Sequence, residues 1–286
     1  MDAVIDFRIR PPAKSFLKLS VFDKSATSSL LNRPTWAGVE PAPSFIQSSM
    51  ELLIQEMKEA GVKKGVIMGR QTALKYGRIP NDEVAEIVNE YPGYFIPFAG
   101  IDPMDIKAAV AEVNRTINEL GFNGVALDPG WSDIPLMADD RRLYPIYAKC
   151  DELGVPVSIT LSSHMGPDIT YSVPASVQRV ARDFPSLIIL VAHGAWPWTN
   201  QMAGVALEQS NIWLVPDIYM HIPGMPGAMH FVEAANYYLG DRLLFASSYP
   251  IRPLKDSIKE FLSLPLKEEV KEKALYTNAA RLLGLK

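Results

Sequence analysis

The sequence predicts an α/β protein of the (β/α)8 class, a TIM barrel folded as a single domain over residues 1–286. Three observations predict it. Short apolar runs bounded by polar residues alternate with amphipathic stretches along most of the chain. Eight such runs occur, the number that a closed parallel barrel uses. No G-x-G-x-x-G or P-loop pattern follows the first run, where an open nucleotide-binding sheet would carry one.

The first run is Val4–Pro12, VIDFRIRPP. If it is extended throughout, alternation puts Asp6, Arg8 and Arg10 on one face and Ile5, Phe7 and Ile9 on the other. Residues 13–44 follow, rich in Ser, Pro and Lys, with a late Trp36 and no clear period. A loop of that length is expected to be functional, and it reads as a flap over the barrel mouth. Phe45–Ala60 is amphipathic and predicts a helix. The remaining strands are predicted at 64–70, 94–102, 123–128, 156–161, 187–193, 212–219 and 242–248. Between them, helices are predicted at 81–91, 104–120, 141–153, 175–184, 201–209 and 229–239, with a helical end to Leu285. Gly121 and Gly154 stand where two of these helices should stop.

Composition narrows the partners. The net charge is −4 and there is no basic run, which argues against nucleic acid or an anionic membrane surface. No apolar run reaches membrane-spanning length. Met1 leads straight into the first strand, leaving no room for a signal peptide, so a cytoplasmic location is expected. Cys150 is the only cysteine. It excludes an intrachain disulfide and a CxxC zinc site, and within YPIYAKCDEL it reads as a core residue.

Barrel enzymes place their chemistry at the C-terminal ends of the strands. Here those ends carry Arg8 and Arg10, Arg70, Asp102, Asp128, Thr160, His193, Asp217 with Tyr219, and Ser247 with Ser248. His193 closes an apolar strand and precedes Gly194, so a neutral imidazole there could act as acid or base. Asp217 and Asp128 are further catalytic candidates. Arg8, Arg10 and Arg70 suit a carboxylate or phosphate, because a guanidinium stays charged and forks onto planar anions. Thr160, Trp196, Tyr219 and Ser248 complete the expected substrate contacts, with Trp196 and Trp198 as a possible aromatic wall. His164 is a weaker candidate on the loop after the fifth strand. His221 and His230 read as loop and helix-start residues.

Four motifs carry a resemblance. VIDFRIRP resembles the first strand of the amidohydrolase superfamily, in its branch related to aminocarboxymuconate-semialdehyde decarboxylase. LVAHGAWPW is similar to that branch's sixth-strand end, FASSYP to its eighth-strand motif, and TNAARLLGL to its closing signature. The resemblance implies a metal site built from His-x-His on the first strand, a histidine on the fifth and an aspartate on the eighth. Those positions here hold Arg8, Arg10, Thr160 and Ser248, and only His193 matches. Two guanidinium cations would repel a divalent ion, so no metal and no other cofactor is expected. The expectation is a metal-independent hydrolase acting on a small anionic lactone or cyclic acid. The alternatives are a decarboxylase or hydratase of a carboxylated ring compound, or a non-catalytic binder of small acids. A homodimer is expected by analogy with the branch.

Overall fold

The structure is a computed structural model that describes residues 3–23 and 38–285. Seven parallel strands form one sheet in sequence order: β1 (Val4–Asp6), β2 (Val62–Met68), β3 (Phe95–Gly100), β4 (Val125–Leu127), β5 (Val157–Ser162), β6 (Ile189–Trp196) and β7 (Ile212–Val215). Each strand pairs with the next in parallel register. Helices separate them, as the alternating pattern requires.

The predicted eighth strand, 242–248, is not a regular strand. It nevertheless joins the two edges of the sheet. Leu243 bridges Leu214 of β7, and Tyr249 bridges Ile9 beyond β1. Leu244 N donates to the Leu214 carbonyl and Phe7 N to the Phe245 carbonyl, both at 2.9 Å. The ladder is broken because residues 247–249 turn their backbone bonds inward. Tyr249 N donates to Ser247 Oγ, and Ser247 N donates to Asp6 Oδ1.

Two apolar layers follow from strand alternation. Ile5, Phe7, Val66, Ile96, Phe98, Ala126, Leu190, Trp213, Leu244 and Ala246 form the barrel interior. A larger cluster fills the space between strands and helices, and it contains Val4, Ile67, Val125, Ile159, Val191 and Leu214. Cys150 is fully buried there, and burial pushes its thiol up to about 12, where it is unreactive.

The floor of the barrel is made by the chain end. Ala279 and Ala280 pack into the interior layer with Tyr276 and Leu282 at its rim. Asn278 Nδ2 donates to the carbonyls of Gly240 and Leu243, both at 2.8 Å. Asn fits because its amide supplies two donors to carbonyls that the broken eighth strand leaves over.

Several expectations need correction. β1 ends at Asp6, and the alternation predicted through Arg10 slips. Ile5 and Phe7 lie in the interior layer but Ile9 lies in the outer one. The cause is local: Asp6 Oδ1 accepts from Arg8 N at 3.0 Å, a turn bond that an extended strand cannot make. β7 stops at Val215, so Asp217 and Tyr219 do not sit on a strand. Pro216 ends it, and Ile218–His221 forms one helical turn. That turn buries His221, which is therefore no loop residue. Of the expected flap, residues 14–22 form two short 3-10 turns, while Trp36 lies outside the described residues.

Candidate active site

The strand ends converge on a cleft of about 370 Å³, part of it open to solvent. Arg8, Arg10, Arg70, Asp128 and Thr160 line it, and Phe16 and Leu19 from the segment after β1 lie against it. Backbone geometry brings these residues together. After Ala126, alternation turns Asp128 inward, and the same alternation turns Thr160 inward from β5.

The arginines dominate the electrostatics. Arg10 Nη1 donates to the Ser248 carbonyl at 3.1 Å, tying the segment after β1 to the eighth segment. Burial and the neighbouring charges of Arg8 and Arg70 press its pKa downward. Arg70 Nε lies 3.4 Å from Asp128 Oδ2. Burial opposes the Asp128 charge, but Arg70 and Arg8 outweigh it and hold the carboxyl below its ordinary range. Among the described residues Arg8 has no such partner: it is 6% exposed, and its Nε and Nη1 find no hydrogen-bond acceptor there.

His193, Asp217 and Ser248 adjoin the cleft across these arginines. His193 Nδ1 lies 2.5 Å from Asp217 Oδ2. Ser248 Oγ donates to the same oxygen at 2.8 Å. Burial lowers the His193 pKa, with Asp217 opposing, so the ring is neutral at pH 7. Burial would raise Asp217, but His193, Arg8 and Ser248 keep it ionised. All three residues adopt positive φ: 64° at His193, 47° at Asp217 and 56° at Ser248. For residues with a Cβ that region costs about 1–3 kcal/mol each and collects at functional sites.

Asp6 stands behind Arg8 with no exposure. Its Oδ1 accepts from Arg8 N and Ser247 N, and its Oδ2 has no partner. Burial pushes it up to about 6. The sequence put Asp6 on one face with Arg8 and Arg10, and in the structure it accepts from the Arg8 backbone.

Other expected residues are used elsewhere. Tyr219 is nearly buried and stands edge-on to His193 at 5.5 Å. Trp196 stacks on Tyr219 at 5.0 Å and donates Nε1 to the Pro226 carbonyl, so it supports Tyr219 and does not line the cleft. Trp198 donates to the Ile169 carbonyl. Asp102 faces Arg78 and caps Met104 N, away from the arginine cluster. His164 is exposed and contributes its carbonyl to Trp131, and His230 meets Thr199. Trp131, in the loop after β4, was not anticipated. It lies against Arg70, and DPGWSD gave no periodic signal to find it.

The model of the amidohydrolase family matches residues 41–285. This chain belongs to the amidohydrolase family. The motifs at both ends of the barrel put it in the amidohydrolase-2 branch, as expected from the sequence. A solved TIM-barrel protein of Bordetella bronchiseptica is similar throughout, with 41% identity, a TM-score of 0.91, and coverage of 99% of this chain and 98% of that one. The 2-keto-4-carboxy-3-hexenedioate hydratase of a Sphingobium strain is 27% identical over 62% of this chain, a match that spans 61% of the hydratase. The 2-amino-3-carboxymuconate-6-semialdehyde decarboxylase of Dictyostelium discoideum is 26% identical over 81% of this chain and 73% of its own.

The metal that the family resemblance implies does not fit these residues. Among the described residues no group of three His, Cys, Asp or Glu side chains could hold an ion. His193 and Asp217 offer two donors, and the neighbouring positions present the cations Arg8 and Arg10, whose charge opposes a divalent ion.

Proposed function

We propose that this protein is a metal-independent lyase acting on a small carboxylated ring or unsaturated acid, with Arg8 and Arg10 holding the substrate carboxylate. The observation that carries this reading is the Arg8 fork, a buried cation on the cleft wall with two N–H groups that lack an acceptor. A buried donor without a partner costs about 1–3 kcal/mol, and a carboxylate would remove that cost with two charge-assisted bonds. The decarboxylase and hydratase relatives, which act on carboxylated compounds by name, favour a lyase over the hydrolase first expected.

In this reading His193 is the general base. Its Nδ1 faces Asp217, which leaves Nε2 to take a proton from water or from a substrate hydroxyl. Asp217 then stabilises the imidazolium, and the Ser248 bond holds the carboxylate in place. In water addition the guanidinium groups stabilise negative charge that spreads onto the conjugated carboxylate as the carbon–oxygen bond forms, and the imidazolium returns its proton to the neighbouring carbon. In CO2 release the imidazolium gives the hydroxyl proton to the ring carbon, the carbon–carbon pair then moves through the ring onto the hydroxyl oxygen, and the carboxylate leaves as CO2. Asp128 and Thr160 orient Arg70 and the ring substituents. Phe16 and Leu19, from the two 3-10 turns that follow β1, close the cleft on that side. Because the base must be neutral, kcat/KM should hold at pH 7 and fall in acid as His193, whose pKa burial lowers, takes up a proton.

The test is a substrate panel with chelator-treated protein: hydroxybenzoates, unsaturated dicarboxylates and carboxylated lactones. The proposal expects CO2 release or water addition with one of the first two groups. Ring opening of a lactone alone would restore the hydrolase reading, and turnover that appears only with added metal would overturn metal independence.

A further inference from the structure

Trp131 takes no part in the proposed chemistry, yet it joins three loops at the mouth. Its carbonyl accepts from Ala73 N at 2.8 Å, which ties the loop after β2. Its Nε1 donates to the His164 carbonyl at 2.7 Å, which ties the loop after β5. Its ring lies nearly parallel to that of Tyr76, at 4.9 Å and 13°. The Arg70 guanidinium carbon is 5.0 Å from the Trp131 centroid, and Lys75 Nζ is 4.8 Å from that of Tyr76.

Arg70 needs such a hold. It sits among like charges, since Arg8 and Arg10 both share its cleft. Its contact to Asp128 through Nε is 3.4 Å, too long to fix a planar fork by itself. The face of an indole attracts a guanidinium and at the same time sets its plane. A tryptophan whose backbone is tied to one loop and whose ring N–H is tied to another presents a rigid face for that purpose.

We infer that Trp131 is a positioning residue that holds the Arg70 fork toward Arg8 and thereby sets affinity for the carboxylated ligand. The inference rests on the carboxylate reading of the cleft. The carboxylate held by Arg8 and Arg10 also meets the Arg70 fork, which follows β2, and Trp131 keeps that fork from swinging away from Arg8.

The test is a double-mutant cycle with benzoate as the probe, followed by titration calorimetry on chelator-treated protein. Trp131→Leu should weaken benzoate about fivefold to tenfold, which is the range of a partly buried cation–aromatic contact. Arg70→Gln should weaken it at least as much, and Trp131→Leu should add nothing in the Arg70→Gln background. Trp131→Phe, which keeps a ring face, should retain most of the affinity, and Lys75→Ala at the outer end of the stack should be neutral. A crystal structure of Trp131→Leu should show the Arg70 fork moved from the cleft. An unmoved fork, or independent and additive losses, would overturn the inference while leaving the carboxylate reading intact. If benzoate does not bind the wild type, the carboxylate reading and the affinity claim fall together, and the fork position alone decides whether Trp131 holds Arg70.

Discussion

The two ends of this barrel are built from the same strands and obey opposite rules. At the floor, Ala279 and Ala280 fill the interior, and Asn278 satisfies the two carbonyls it reaches. At the mouth, Arg8, Asp6, Asp217 and His221 keep buried polar atoms without hydrogen-bond partners, and His193, Asp217 and Ser248 hold positive φ. A fold selected for stability alone would satisfy both ends alike. The difference teaches that the mouth carries free-energy costs of a kind a bound ligand can offset, whereas the described floor residues Asn278, Ala279 and Ala280 carry none.

That contrast can be broken by substitution. The largest expected effect is on turnover at the mouth. His193→Ala should lower kcat by about 10²–10⁴-fold, the usual contribution of a positioned base, while carboxylate affinity changes little. A variant that turned over normally would remove the chemistry from that side of the cleft.

The next effect belongs to the floor. Asn278→Ala leaves the Gly240 and Leu243 carbonyls without their donor, and should cost about 1–3 kcal/mol in chemical denaturation. Its kcat/KM at 25 °C should match the wild type. Reduced kcat/KM with unchanged stability would mean that the two ends are not separable in this way.

The smallest effect is a change of sign with pH. Asp6, at about 6 in the folded chain against an ordinary 3.8, keeps a proton that the unfolded chain has lost. Its contribution to stability is therefore full below pH 4 and declines as pH rises toward 6. His221 is buried and lowered to about 4 from 6.5, so its contribution runs the other way and is lost as pH falls from 6.5 to 4. Over pH 4–6 the two oppose each other. Asp6→Asn keeps the Oδ1 acceptor for Arg8 N and Ser247 N and removes the titration. Its stability should exceed the wild type at pH 7 and fall more steeply toward pH 4 in urea titrations. Parallel curves would show that Asp6 is not a strained carboxylate.

The sequence made the scaffold legible because strands and helices leave periodic apolar patterns. Val66, Ile96, Phe98 and Leu190 show the period of two that puts them inside the barrel. It failed where geometry departs from the period. The Arg8–Arg10 face was drawn on an extended strand, but the bond from Arg8 N to Asp6 ends β1. Tyr219 was placed on a strand that Pro216 stops. Positive φ at His193, Asp217 and Ser248 has no residue signature, because none of them is glycine. Trp131 sits in a loop and acts through a partner 61 positions away, a relation that no local pattern records.

The most direct measurement is calorimetric titration of chelator-treated wild type and Arg8→Gln with a hydroxybenzoate that the wild type binds. If a fixed guanidinium serves where the family resemblance implies a metal, binding saturates without added ion and weakens about 10- to 100-fold in the variant. Equal affinity of the two proteins, or binding only after zinc or manganese is supplied, would contradict it.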